Sequence, residues 1–191
     1  MDKNESARPP KTLSDKLLSK RILMLSEPVM PKSAKRIVSQ LLYLDSEDPK
    51  KPISFYINSP GGSISDGFAI FDTIRFIRAP VTTICIGISA SMGTILMLAP
   101  RKKELRVAMV NTRFMMHQPS SAYRGAAADI EIGAKQILKL RDRLVEIYVE
   151  ETGQKADRVK TDINRDFWMT AEEAVDYGLC HRVVKERGEI A

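Results

Sequence analysis

Cysteine and histidine are scarce in this 191-residue chain, with two of each. Cys85 and Cys180 lack CxxC spacing, which argues against a disulfide framework or a zinc site and leaves two reduced packing thiols. No metal is expected. No apolar run approaches the roughly 20 residues of a membrane span, so no membrane partner is expected. Met1 to Pro10 is polar and of mixed charge. It has neither the apolar core of a signal peptide nor the acid-poor character of a transit peptide, which suggests a cytoplasmic protein. Walker A and G-x-G-x-x-G patterns are missing, and with them the case for a bound nucleotide. Charge of one sign is not concentrated either. The net charge is +6, but Lys and Arg alternate with acids, as in Arg141-Asp142-Arg143, and only Arg101-Lys102-Lys103 is a compact basic run. Without a nucleic-acid module this reads as solvated surface, and no nucleic acid is expected.

What is present is ordinary for a globular chain: 43% hydrophobic and 28% charged residues, enough for one domain. The expected division is a mobile segment over 1–20, with a short helix at Leu13 to Leu18, and a single domain over 21–191. Strands are predicted at Arg21 to Leu25, Ile53 to Ile57, Val81 to Gly87, Leu105 to Val110, Arg113 to Met116 and Leu179 to Val184. Helices are predicted from Pro31, over Asp66 to Arg78, within Ser89 to Leu98, over Asp129 to Thr152, and after the capping box at Thr170 to Glu173. Val81 to Gly87 reads as an apolar strand interrupted only by Thr82 and Thr83, of the kind buried on both faces of a parallel sheet. Strand–helix alternation implies an α/β fold of stacked parallel strands.

Four features can carry chemistry. Ser91 follows a buried strand and opens an apolar helix, the setting of a nucleophile, although it lies outside the G-x-S-x-G frame; a serine packed at a helix start explains it equally. His117 ends a strand and suits a general base or a polar strand cap, while His181 reads as surface. Asp166, beside Arg165 and ahead of Phe167-Trp168-Met169, offers a partly buried carboxylate to orient an imidazole, or a surface ion pair. Gly61-Gly62 exposes backbone amides able to bind an oxyanion or a peptide, or is a plain turn.

Together these segments resemble the Clp protease proteolytic-subunit (ClpP) family from about Arg21 to Val184. The matching stretches are Ile57-Asn58-Ser59-Pro60-Gly61-Gly62-Ser63, Ala90-Ser91-Met92-Gly93, Met116-His117-Gln118-Pro119, Thr152-Gly153-Gln154, Arg165-Asp166 and Glu173-Ala174-Val175 with Tyr177-Gly178-Leu179. The resemblance implies a crotonase-like spiral of stacked parallel strands with flanking helices and a projecting handle over about 118–152. It implies Ser91 as nucleophile, His117 as base and Asp166 as orienting acid, with the Gly62 and Met92 amides as oxyanion hole. Gly61, Ser63 and Ile64 would lie along an extended peptide. It also implies an ATP-dependent serine endopeptidase without cofactors. Heptameric rings would stack into a tetradecamer, alone or mixed with a paralogous subunit, and a AAA+ ATPase would feed it unfolded proteins. Tyr56 and Phe76 match an apolar ATPase-docking cleft, though core packing explains them too. Phe114, Met115 and Ile130 to Ile137 would cover subunit contacts.

Four departures stand out. Ser89 replaces a common Ala, Asn164 an acid, and Ser121 to Ala126 a Gly-rich stretch, while the segment before Arg21 lacks the familiar axial pattern. The last three bear on ring stacking, activation and docking, and suit a paralogue in a mixed barrel. The competing readings are a crotonase acting on an acyl-CoA thioester and a catalytically silent ring subunit.

Overall fold

The computed structural model describes residues 12–190, so the opening at Met1 to Pro10 lies outside the described residues. The strands are β1 (Ile22–Leu25), β2 (Ile53–Ser59), β3 (Val81–Ala90), β4 (Arg106–Met109), β5 (Arg113–Met116), β6 (Phe167–Met169) and β7 (Arg182–Val184). The helices are α1 (Leu13–Ser19), α2 (Pro31–Glu47), α3 (Ile64–Phe76), α4 (Met92–Met97), α5 (Ala127–Thr152), α6 (Ala156–Asp162) and α7 (Ala171–Tyr177). No helix among the described residues is long and apolar enough to cross a membrane.

Local chemistry sets most boundaries. Pro31 occupies the first turn of α2, where a missing N–H costs nothing. The Thr170 hydroxyl accepts the Glu173 amide at 3.2 Å and the Glu173 carboxylate accepts the Thr170 amide at 2.8 Å, the reciprocal cap expected for α7. Helix α3 begins two residues before its predicted start because Ser63 caps it, its hydroxyl accepting the Asp66 amide at 3.3 Å. β3 runs on to Ala90, three residues past its expected end, which shortens α4 to six residues. The last strand is correspondingly short: Leu179 and Cys180 precede β7 as buried packing residues.

β1, β2, β3, β4 and β7 form a parallel sheet in that order, as the strand–helix alternation implies. β3 is the branch point. Its first half, Thr83 to Cys85, pairs with β4, and its second half, Ile88 to Ala90, pairs with β5. Gly87 stands between them at φ +66°, and a Cβ there would lie 2.8 Å from the Asn58 side-chain oxygen. That oxygen accepts the Ile88 amide instead, holding the bend. β6 then adds antiparallel to β5.

One face of the sheet carries the main core, which α2, α3, α4, α7 and the C-terminal end of α5 cover. The other face is only partly closed. Ile84, Val107 and Val184 form a small cluster there, with Tyr56, Ile86 and Ile190 packed around it. The strict alternation of buried and half-buried residues along β2 records the same asymmetry, whereas β3 is buried on both faces from Val81 to Cys85, as its sequence suggests. Helix α5, 26 residues and about 39 Å long, takes up the later part of the stretch over which the handle is expected, and residues 118–126 before it are not helical. Its residues are mostly exposed up to Arg143, whereas Leu144, Val145, Ile147 and Tyr148 bury its root.

The Ser89 hydroxyl is fully buried, faces the Cys85 thiol, a poor partner, and makes no hydrogen bond of acceptable geometry among the described residues. Ser89→Ala is therefore expected to raise unfolding stability by about 1 kcal/mol, measured by urea denaturation.

Candidate active site

The forked sheet dictates where the site lies. Ala90 pairs with Met115 across β3 and β5, and Met116 pairs with Phe167 across β5 and β6. One step beyond these pairs, on neighbouring strands at one end of the sheet, stand Ser91, His117 and Asp166. The Ser91 amide donates to the Met115 carbonyl at 2.7 Å, which ties the turn to β5. His117 Nε2 lies 2.8 Å from Ser91 Oγ, and His117 Nδ1 lies 3.2 Å from Asp166 Oδ1. The geometry lets a hydroxyl proton pass to Nε2 while a carboxylate faces the opposite ring nitrogen. His181, the rival imidazole, is exposed and takes no part.

Ser91 holds φ 53° and ψ −121°, a conformation that non-glycine residues rarely adopt and that costs of order 1–3 kcal/mol. The strain turns the chain sharply from β3 into α4 and leaves the Ser91 side chain at the surface of the turn. Asp166 departs from expectation: its side chain is 61% exposed, not partly buried, because β6 begins only after it and Asn164 and Arg165 before it are exposed as well. His117 is 31% exposed.

Gly61 explains why a double glycine is needed. A Cβ there would lie 2.6 Å from the Ala90 carbonyl oxygen, 2.7 Å from Ser91 Cβ and 2.8 Å from the Met92 nitrogen. At Gly62 a Cβ would lie 2.2 Å from the Val29 carbonyl oxygen. The turn is pinned by Val29, whose amide donates to the Gly61 carbonyl and whose carbonyl accepts the Ser63 amide, each at 2.8 Å. Gly62 is exposed, Met92 opens α4, and neither amide donates to another group among the described residues. Two unengaged N–H groups thus stand on the turns on either side of Gly61 and Ser91. Gly61→Ala should displace this turn and slow fluorophosphonate labelling of Ser91 by on the order of 100-fold, as judged by intact-mass spectrometry.

Two residues position the site in a way the sequence did not indicate: Gln118, which had no role there, and Asn164, read only as the replacement of an acid at the ring contact. The Gln118 amide donates to the Ile163 carbonyl at 2.6 Å, and the Gln118 side chain donates to Asn164 O and Oδ1 at 3.2 and 3.3 Å. They join the segment after His117 to the loop before Asp166. Side-chain polarity next to a candidate base was the available signal.

Tyr56 and Phe76 are not brought together within one chain. Tyr56 lines an apolar groove of about 470 Å³ with Ile22, Met24, Ile86, Met109 and Ile190. Phe76 is 81% exposed at the end of α3 and lines no part of that groove, so it is not a core residue. Phe114 is fully buried in the main core and is unavailable for subunit contacts. Ile130 and Ile132 are exposed on the handle. Cys85 and Cys180 are free and buried, as expected; burial pushes both thiols up, Cys180 to about 12.

A family model for the Clp protease matches residues 5–187. That span covers nearly the whole chain and every residue of the strand-end cluster, and the chain belongs to the Clp protease family.

Proposed function

We propose that the protein is a serine endopeptidase subunit, with Ser91 as nucleophile, His117 as general base and Asp166 as the carboxylate that orients the imidazole. The observation that carries this reading is the 2.8 Å contact between His117 Nε2 and a serine hydroxyl on a strained turn. Ser91 Oγ attacks the scissile carbonyl as its proton moves to Nε2. Charge develops on the carbonyl oxygen, which the Gly62 and Met92 amides receive. The imidazolium, steadied by Asp166, then protonates the departing amine, and water repeats the sequence on the acyl-enzyme. The turn from Gly61 to Ile64 is the segment beside which an extended peptide would lie; the Gly61 carbonyl and the Ser63 amide are taken by Val29 and Ile64 opens α3, so pairing falls to the backbone groups this turn leaves free.

Enclosure would control which proteins reach the site. Exposed Ile130, Ile132 and Leu138 on the handle suit burial between rings that stack into a barrel. The groove beside Tyr56 suits docking of a AAA+ ATPase that delivers unfolded chains, with Phe76 a further apolar contact. The Ser91–His117 contact counts against a silent subunit and is unnecessary for acyl-CoA chemistry.

The test is to size the native particle, alone and with a AAA+ Clp ATPase or a second subunit, while assaying a fluorogenic peptide. Hydrolysis co-migrating with a ring-sized particle is expected. Hydration of an enoyl-CoA without peptide hydrolysis would point instead to the acyl-CoA reading.

A further inference from the structure

A pocket opens directly beside Ser91 and His117, walled by Ile64, Met92, Ile95, Pro119, Leu144 and Tyr148. Its free volume is about 20 Å³, room for roughly one water-sized group. Both hydrogen bonds of the Ser91–His117–Asp166 cluster are already made, so this is the pocket's size in the aligned arrangement.

The walls are held in place. Tyr148, at the root of α5, is 1% exposed, and its hydroxyl oxygen lies 2.6 Å from Thr94 Oγ1. The Thr94 hydroxyl donates to the Ser91 carbonyl at 2.6 Å, so the Tyr148 hydroxyl is the donor to Thr94. Burial raises the phenol, which therefore remains protonated and able to donate. Swinging the ring aside would break a buried hydrogen bond joined to the nucleophile's own backbone. Leu144 stands one turn earlier on the same face of the helix and is 5% exposed. Met92 is seated in the notch at Gly67, where a Cβ would lie 2.2 Å from Met92 Cγ.

We infer that this pocket receives the side chain preceding the scissile bond, and that Tyr148, tethered through Thr94 to Ser91, restricts it to a side chain about the size of alanine's. The inference rests on the serine-peptidase reading and adds its substrate class: peptides cut after small residues. Leucine or phenylalanine at that position would have to displace the tethered ring or Leu144. Opening the floor at Tyr148 relieves that conflict. Removing the hydroxyl alone does not change the ring's bulk.

The experiment uses the full-length protein and tetrapeptidyl chloromethyl ketones ending in alanine, leucine or phenylalanine. A small fluorophosphonate without a peptide serves as control. Intact-mass spectrometry gives each labelling rate. The alanine reagent should react faster than the leucine and phenylalanine reagents by roughly tenfold or more. Tyr148→Val should erase or reverse that preference, Tyr148→Leu should weaken it, and Tyr148→Phe should keep it. The leucine variant carries the test if the valine variant does not fold. A wild-type protein that prefers the larger reagents, or opened variants with unchanged selectivity, would overturn the inference while leaving the nucleophile assignment intact. Absent fluorophosphonate labelling of Ser91 would instead sink the peptidase reading, and this inference with it.

Discussion

Ser91→Ala is expected to lower kcat for peptide hydrolysis by on the order of 10⁶-fold, and His117→Ala to cost about as much. The double variant should cost no more than either alone. The reason is the shared 2.8 Å contact: a serine without its base is a weak nucleophile, and a base without its serine has nothing to activate. Each single change removes the whole unit, so the losses do not add. Asp166→Asn should be milder, on the order of 10⁴-fold, because that carboxylate acts only through the imidazole and is exposed to water that screens it. Single-turnover kinetics with a fluorogenic peptide would check all four proteins. Additive losses would mean that the two side chains do not act together.

Glu151→Ala is expected to cost about 3–5 kcal/mol of unfolding stability in urea, the largest effect anticipated away from the site. Glu151 lies in the last turn of α5 and bridges Arg75 of α3 and Arg106 of β4 through its two carboxylate oxygens. Arg106 has no exposed surface, and its guanidinium also donates to the Pro100 and Glu151 carbonyls. Arg75 further lies 4.2 Å from the centroid of the Phe71 ring. Removing the carboxylate strands a buried cation, whereas replacing Arg106 and Glu151 together with apolar residues should recover much of the loss. Burial alone would raise the Glu151 carboxyl, but hydrogen bonds from Arg75 and Arg106 outweigh it and hold the group below its ordinary value. Burial pulls Arg106 down in turn, yet an arginine keeps its proton throughout the neutral and acid range, so the pair is charged. A lowered folded-state pKa means stabilisation in full above the unfolded value near ~4.3, lost as pH falls through the lower folded value. The cost of Glu151→Ala should therefore shrink in acid. A cost below about 1 kcal/mol at neutral pH would contradict this account.

The sequence carried more of the fold than of the site. Capping at Thr170 and helical periodicity in α2 and α5 are local signals, and the elements stand where those signals put them. Helix α6 escaped notice because it buries only Val159, which leaves no periodic stripe to read. β6 is three residues long and gains its strand character from pairing with β5, a contact invisible along the chain. Strand–turn–helix character made Ser91 a candidate, and the family resemblance singled it out. Spacing could not choose Asp166 among many acids and the family resemblance named it; the antiparallel register that sets Met116 against Phe167 is the reason it stands beside His117, and that is tertiary. The Tyr148–Thr94 tether is of the same kind: on the sequence Tyr148 is one more apolar position of a long helix. The Glu151 bridge likewise joins three elements that periodicity treats as independent.

Reacting the protein with a fluorophosphonate and mapping the adduct tests the central claim most directly. The account predicts a single phosphonylated residue, Ser91, and loss of labelling when His117 is replaced by alanine. An adduct on a different residue, or undiminished labelling without that imidazole, would contradict it.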